Sequence, residues 1–144
     1  MALGYKLRHY LFNAFRELFV YHHSSLEFRA KLFALLIAVS DNPDECDYNV
    51  VKAAGMQIYK EEDRANTLAL TTEEYVERIR GRDRLDVDTL VQDIVRDLKI
   101  IPRYAKKIDI AHLTPLLECS SDADTIAYQK SIIAFLEQLK REYE

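Results

Sequence analysis

Apolar residues recur along much of the chain at spacings of three and four, which is the period of an α-helix with one buried face. The pattern predicts a first helix over residues 5–22 and a second from Ser24 to Val39. Because the second is apolar around most of its circumference, we expect it to be the central and most buried helix. Further helices are predicted over residues 45–60, 71–81, 86–99, 102–117 and 124–143.

Helix boundaries are marked by local sequence signals. Ser24 with Glu27 and Thr71 with Glu74 match the capping box, in which side chains at a helix start bond to free backbone amides. Pro115 must kink its helix or divide it into short pieces. No segment alternates apolar and polar residues as a strand would. We therefore predict one all-α domain over residues 1–144, a compact bundle of about six to seven helices.

Composition narrows the class of protein further. The 144 residues include only three Gly and three Pro, which excludes collagen-like and low-complexity chains. The formal charge of −4 disfavours a nucleic-acid binder. No apolar run is long enough to span a membrane and no signal peptide is evident, so the predicted location is cytoplasmic. Attachment of the basic, Phe-bearing first helix to a membrane surface is the disfavoured alternative. Cys46 and Cys119 stand far apart, so a single disulfide is possible but not required.

Two segments of the chain are similar in sequence. Residues 35–41 (LLIAVSD) align with residues 116–122 (LLECSSD), and helical patterns follow both segments. The two copies, 26–60 and 109–143, each read as a buried helix, an acidic turn and an amphipathic helix. This predicts a pseudo-repeat of two helical hairpins. The alternative is that Ser and Asp recur because they commonly stop helices.

The repeated unit resembles the tellurite-resistance TerB-like proteins, in which a buried helix ends at a small residue and an Asp before a second helix, twice in one all-helical domain. The likeness extends from about Glu27 to Tyr143. It implies a seven-helix fold and a stress-response protein of unsettled biochemistry that is sometimes suspected of binding metal. Family members usually have Gly directly after the Asp and Glu seven residues on, where this chain has Asn42 and Tyr48, then Ala123 and Gln129. Because this chain lacks those Gly and Glu residues, the resemblance does not extend to the residues that would bind metal in the family.

Carboxylates are concentrated in the two turns between paired helices. Hard cations such as Ca²⁺ and Mg²⁺ take several oxygen ligands at once, so the turns form a candidate metal site if the bundle brings them together. The first turn lacks the Gly and the terminal Glu of a calcium-binding loop. Capping of helix N-termini explains the same residues without a metal and is the favoured interpretation. The candidate ligands are Asp41, Asp44, Glu45, Asp47, Asp122 and Asp124.

No catalytic residues are predicted. His22 and His23 are neighbours that point apart on a helix, and both cysteines adjoin acidic residues that raise a thiol's pKa. The leading hypothesis is a non-catalytic interaction or stress-response module that binds a protein partner or a second copy of itself, with no cofactor other than a divalent cation. One alternative is a small metal-dependent hydrolase that uses the same carboxylates. Another is a structural homo-oligomer, favoured by nine Tyr and six Phe.

Overall fold

The computed structural model describes residues 24–81 and 86–144. Within these ranges it contains six α-helices, two 3-10 helices and no strand, so the prediction of an all-α bundle is confirmed. The predicted first helix and the His22–His23 pair lie outside the described ranges. The helices are α1 (Ser24–Ala38), α2 (Glu45–Tyr59), α3 (Glu62–Ile79), α4 (Val87–Ile100), α5 (Ile110–Leu113) and α6 (Ala123–Tyr143), and the 3-10 helices are Pro102–Lys107 and Thr114–Cys119.

Helix α1 is the centre of the bundle, as its apolar circumference predicts. It packs against α3, α4, α5, α6 and the first 3-10 helix, and Leu35, Leu36 and Ile37 are fully buried. Each such side chain stabilises the fold by about 1.5–3 kcal/mol through burial alone. Lys31 is also buried in α1, and its Nζ lies 2.7 Å from Oδ2 of Asp97 in α4. The buried charge of Lys31 is therefore paired with a carboxylate of a neighbouring helix.

Helix α3 begins nine residues earlier than the sequence predicts. The structure starts it at Glu62, and Thr71 and Thr72 lie buried within it, so the predicted capping box of Thr71 with Glu74 is wrong. The Thr72 hydroxyl instead donates to the Leu68 carbonyl, 2.8 Å away and one turn back. Residues 62–64, the last three of a charged run over 60–64, form the start of α3. Acidic side chains there suit the positive end of the helix dipole.

The C-terminal half contains short helices followed by one long helix. Pro115 lies in the second 3-10 helix, so this region is divided into short pieces, one of the two outcomes predicted for it. Helix α6 buries a stripe that includes Thr125, Gln129 and Leu136. Phe135 lies beside this stripe and is 37% exposed, and Ile126 is half-buried.

The predicted pseudo-repeat is not confirmed. Leu35 and Leu36 lie in a 15-residue α-helix, whereas Leu116 lies in a 3-10 helix of six residues. The N-caps also differ from the alignment, since Asp44 caps α2 and Asp122 caps α6. The two acidic turns share composition, but the helices that lead into them are of different kinds.

Across residues 24–81 and 86–144, no helix combines the length and the apolar character that crossing a bilayer requires.

Candidate functional site

The two acidic turns meet at one end of the bundle. The backbone N–H of Asp41 donates to Oγ1 of Thr125 at 3.1 Å, although 84 residues separate them. The Ser120 hydroxyl lies 3.3 Å from Oδ1 of Asp41, and so does the Thr125 hydroxyl. We call residues 40–47 and 119–125 together the acidic junction. Thr125, only 4% exposed, is the side chain through which its two halves are joined.

A disulfide closes the same junction. Cys46, in the first turn of α2, is bonded to Cys119, at the end of the second 3-10 helix, with 5.7 Å between their Cα atoms and 73 residues between them in sequence. The sequence makes this disulfide possible but does not require it, and the bond is present in the structure. Neither sulfur is therefore a free thiol available for nucleophilic chemistry.

Three of the six candidate metal ligands are helix caps. Oδ1 of Asp44 accepts from the Cys46 amide at 2.9 Å, and Oδ2 of Asp47 accepts from the Asp44 amide at 3.0 Å, which completes a capping box. Oδ2 of Asp122 accepts from the amide and the hydroxyl of Thr125, both at 2.9 Å. These bonds satisfy amides that every helix start leaves without a partner.

The other three candidates do not complete a metal site. Asp41 accepts the hydroxyl contacts that join the turns, and Glu45 and Asp124 are exposed. In the part of the chain that the structure describes, no three His, Cys, Asp or Glu side chains are grouped so that they could hold a metal ion. The two turns converge, as the alternative of a metal-dependent hydrolase requires, but three of their carboxylates accept hydrogen bonds from backbone amides at helix starts. Cation binding there stays a prediction.

The carboxyl group of Asp47 belongs to an almost fully buried residue. It is 2% exposed, and burial raises its pKa above the ordinary value. The nearby charges of Asp44 and Asp41 raise the pKa further, whereas the hydrogen bond from the Asp44 amide lowers it. The capping box of α2 is therefore held by a carboxylate whose ionised form is disfavoured.

Two side chains that sequence analysis missed bind the C-terminal end of α1. Arg80 Nη1 donates to the carbonyls of Ala38 (3.0 Å) and Ser40 (2.5 Å), and Gln129 Nε2 donates to the Leu36 carbonyl (2.9 Å). They occupy carbonyls near the helix end, where backbone acceptors lack partners within the helix. Gln129 could have been found as the one amide on an apolar stripe, whereas no signal near Arg80 indicates its carbonyl partners. Arg82 and Arg84 lie outside the described ranges.

An open groove of about 490 Å³ adjoins the junction, between the start of α2 and the second half of α3. Tyr48 faces Glu73 and Glu77 across it, and we call it the acidic groove. Burial raises the pKa of Tyr48, and the charges of Glu73, Asp47 and Glu77 raise it further. Burial and Glu77 also raise the pKa of Glu73. Within the described residues neither Glu73 nor Glu77 has an ion-pair partner.

No family model matches this chain, and neither a curated protein nor a solved structure does. The TerB-like resemblance therefore stays a prediction from the sequence.

Proposed function

We propose that this chain is a non-catalytic interaction module that binds a cationic segment of a protein partner in the acidic groove. The observation that carries the proposal is the pair Glu73 and Glu77, which lie one turn apart, line the groove with Tyr48 and form no ion pair among the described residues. A Lys or Arg side chain would neutralise this negative field and stack on the Tyr48 ring. The groove is also within the range of about 300–1,000 Å³ that is usual for ligand sites.

The rest of the junction supports a binding role over a catalytic one. Three of its carboxylates cap helices and its two sulfurs are joined, so these groups already stabilise the structure. The one cation that lines the groove, Arg80, is bonded to carbonyls at the end of α1. The lining of the groove thus carries two carboxylates against one guanidinium, which leaves it with a net negative charge. The stress-response role implied by the TerB-like resemblance is compatible with this proposal and is a separate prediction.

A labelled peptide with four lysines tests the proposal by fluorescence anisotropy at low and physiological salt. The double substitution Glu73→Gln with Glu77→Gln should weaken binding at least tenfold. The matched control, Glu142→Gln with Glu144→Gln, removes the same charge from an exposed part of the chain and should change affinity less than twofold. Equal losses in both variants, or no saturable binding, would overturn the proposal.

The disulfide also bears on location. Cytosolic thiols are kept reduced by glutathione and thioredoxin, and disulfides persist in oxidising environments. We therefore propose that the chain works where Cys46 and Cys119 stay oxidised, in place of the cytoplasmic location predicted from the sequence. Trapping free thiols with a maleimide reagent in intact producing cells tests this, because an oxidised pair resists labelling until a reductant is added.

Self-association is the remaining alternative, and it follows from the aromatic content rather than from a contact in the structure. Light scattering over a range of concentrations distinguishes it from binding to a different partner. A monomer at every concentration would remove it.

A further inference from the structure

Positive charge is concentrated at a second place on this acidic chain. Arg29 of α1, Lys107 of the first 3-10 helix and His112 of α5 line one small cleft. Arg103 and Lys106 lie on the same 3-10 helix and are exposed. Burial lowers the pKa of Lys107, and the charges of Arg29, Arg103 and Lys106 lower it further. Four cations on two elements thus share one electrostatic field.

Little negative charge offsets this group. Among the described residues, Arg103, Lys106 and Lys107 have no ion-pair or hydrogen-bond partner on their side chains. Arg29 donates to the Tyr59 hydroxyl at 3.3 Å and lies 5.6 Å from the centre of that ring. Both are contacts that leave its charge in place.

One carboxylate lines the cleft, and it already has partners. Oδ1 of Asp109 accepts from the Ala111 amide at 3.1 Å, where it caps α5, and Oδ2 lies 3.2 Å from Nδ1 of His112. That imidazole nitrogen is buried and has no hydrogen bond, while Nε2 of the same ring lies 3.0 Å from Oε1 of Gln57. The buried Nδ1 of His112 is therefore within ion-pair distance of Asp109 without forming a hydrogen bond of ordinary geometry.

We propose that this basic cleft, lined by Arg29, Lys107 and His112 and adjoined by Arg103 and Lys106 on the same 3-10 helix as Lys107, binds a phosphate-bearing anion. A phosphate group offers several acceptor oxygens and close to two negative charges, which suit guanidinium and ammonium donors arranged around a rim. The cavity volume is about 10 Å³, enough for one oxygen-sized atom. The phosphorus would thus stay at the mouth with one oxygen directed inward. The proposal is independent of the acidic groove.

Titration with inorganic phosphate, followed by calorimetry and by the NMR signals of His112, tests the site directly. Wild type should bind one phosphate saturably, and Lys106→Gln with Lys107→Gln should weaken binding at least tenfold. The control Lys130→Gln removes an exposed cation of α6 and should alter affinity less than twofold. Thermal melting of each variant separates a lost site from a lost fold, and Arg29→Lys is a second variant that keeps the charge but loses the guanidinium.

A vesicle arm distinguishes a soluble phosphate from a lipid headgroup. Wild type and the double variant are sedimented with phosphatidylcholine vesicles that contain or lack phosphatidic acid. Binding of inorganic phosphate without vesicle binding assigns a soluble ligand, and Lys107-dependent binding to phosphatidic acid alone assigns a headgroup. Failure of both arms, or losses equal to those of Lys130→Gln, would overturn the proposal.

Discussion

The side-chain amide of Gln129 donates a hydrogen bond of 2.9 Å to the backbone carbonyl of Leu36, 93 residues earlier in the chain. Both residues are fully buried, so this bond fixes α6 against the last turn of α1 where water does not compete. The TerB-like pattern has Glu at position 129. An ionised carboxylate cannot donate to a carbonyl, which gives a physical reason for the amide in this chain.

Gln129→Glu is therefore expected to lower the free energy of unfolding by several kcal/mol at neutral pH, since it buries a charge against an acceptor. The folded pKa of the new carboxyl would lie above its unfolded value of about 4.3. The penalty should hence disappear as the pH falls below about 4 and grow as the pH rises. Urea denaturation at several pH values measures this. Gln129→Leu, which cannot titrate, should cost about 1 kcal/mol at every pH, and a matching pH dependence in Leu would contradict the explanation.

Removal of the disulfide should have a large effect, because the bond closes a loop with a sequence separation of 73 residues. The chain-entropy model gives about 4 kcal/mol for a loop of this size. Cys46→Ser with Cys119→Ser should be less stable than wild type by about that amount in guanidinium denaturation. Adding a reductant should bring wild type down to the variant and leave the variant unchanged. A wild type insensitive to reductant would show that the pair is not bonded.

Asp47 should make stability depend on pH. Its pKa is raised by burial above the ordinary value of 3.8, so between the two pKa values the folded state binds more protons than the unfolded chain. The free energy of unfolding contributed by this group therefore falls as the pH rises through that interval. Asp47→Asn keeps an acceptor for the Asp44 amide and loses the titration. Its stability relative to wild type should increase from pH 3 to pH 7.

Asp47→Ala is the matched control, because it loses both the acceptor and the charge. It should be less stable than Asp47→Asn by about 1 kcal/mol, the usual value of a helix cap, at every pH. Circular dichroism melts of the three proteins in parallel give both comparisons. A flat difference between Asn and wild type would mean that Asp47 titrates normally.

Gly55 marks the closest approach of α2 and α3. A Cβ at this position would lie 2.8 Å from the Ala65 Cα, and a backbone atom of a packed helix cannot move aside cheaply. Gly55→Ala should therefore destabilise the protein by about 1–3 kcal/mol, although Ala is the better helix former by about 1 kcal/mol. Ala53→Gly, at an exposed position of the same helix, should cost about 1 kcal/mol through propensity alone. A gain in stability for Gly55→Ala would show that α2 and α3 lie further apart at this point than the structure places them.

Helices with a continuous apolar face could be predicted from sequence, and α1 and α4 are where the pattern placed them. The start of α3 could not, because its first three residues, Glu62, Asp63 and Arg64, are all charged and carry no apolar period to detect. Thr71 with Glu74 then matched a capping signal, although Thr71 is buried in the middle of the helix.

The junction was foreseeable in outline only. Two acidic turns are visible in the sequence, but no local signal brings Asp41 to Thr125 across 84 residues. No local signal indicates the pairing of Cys46 with Cys119, 73 residues apart, or the carbonyl partners of Arg80, which lie 42 and 40 residues earlier. These contacts depend on how the helices pack against one another, which the spacing of apolar residues within each helix does not specify.

The disulfide makes the chain from Cys46 to Cys119 a covalent ring, from which the two ends of the protein extend. One proteolytic cut inside that ring, for instance after the exposed Arg80, would open it without releasing a fragment. The nicked protein should keep its full mass on a gel run without thiol and split in two on a gel run with it. Damage to this surface would thus leave every helix tethered to the others.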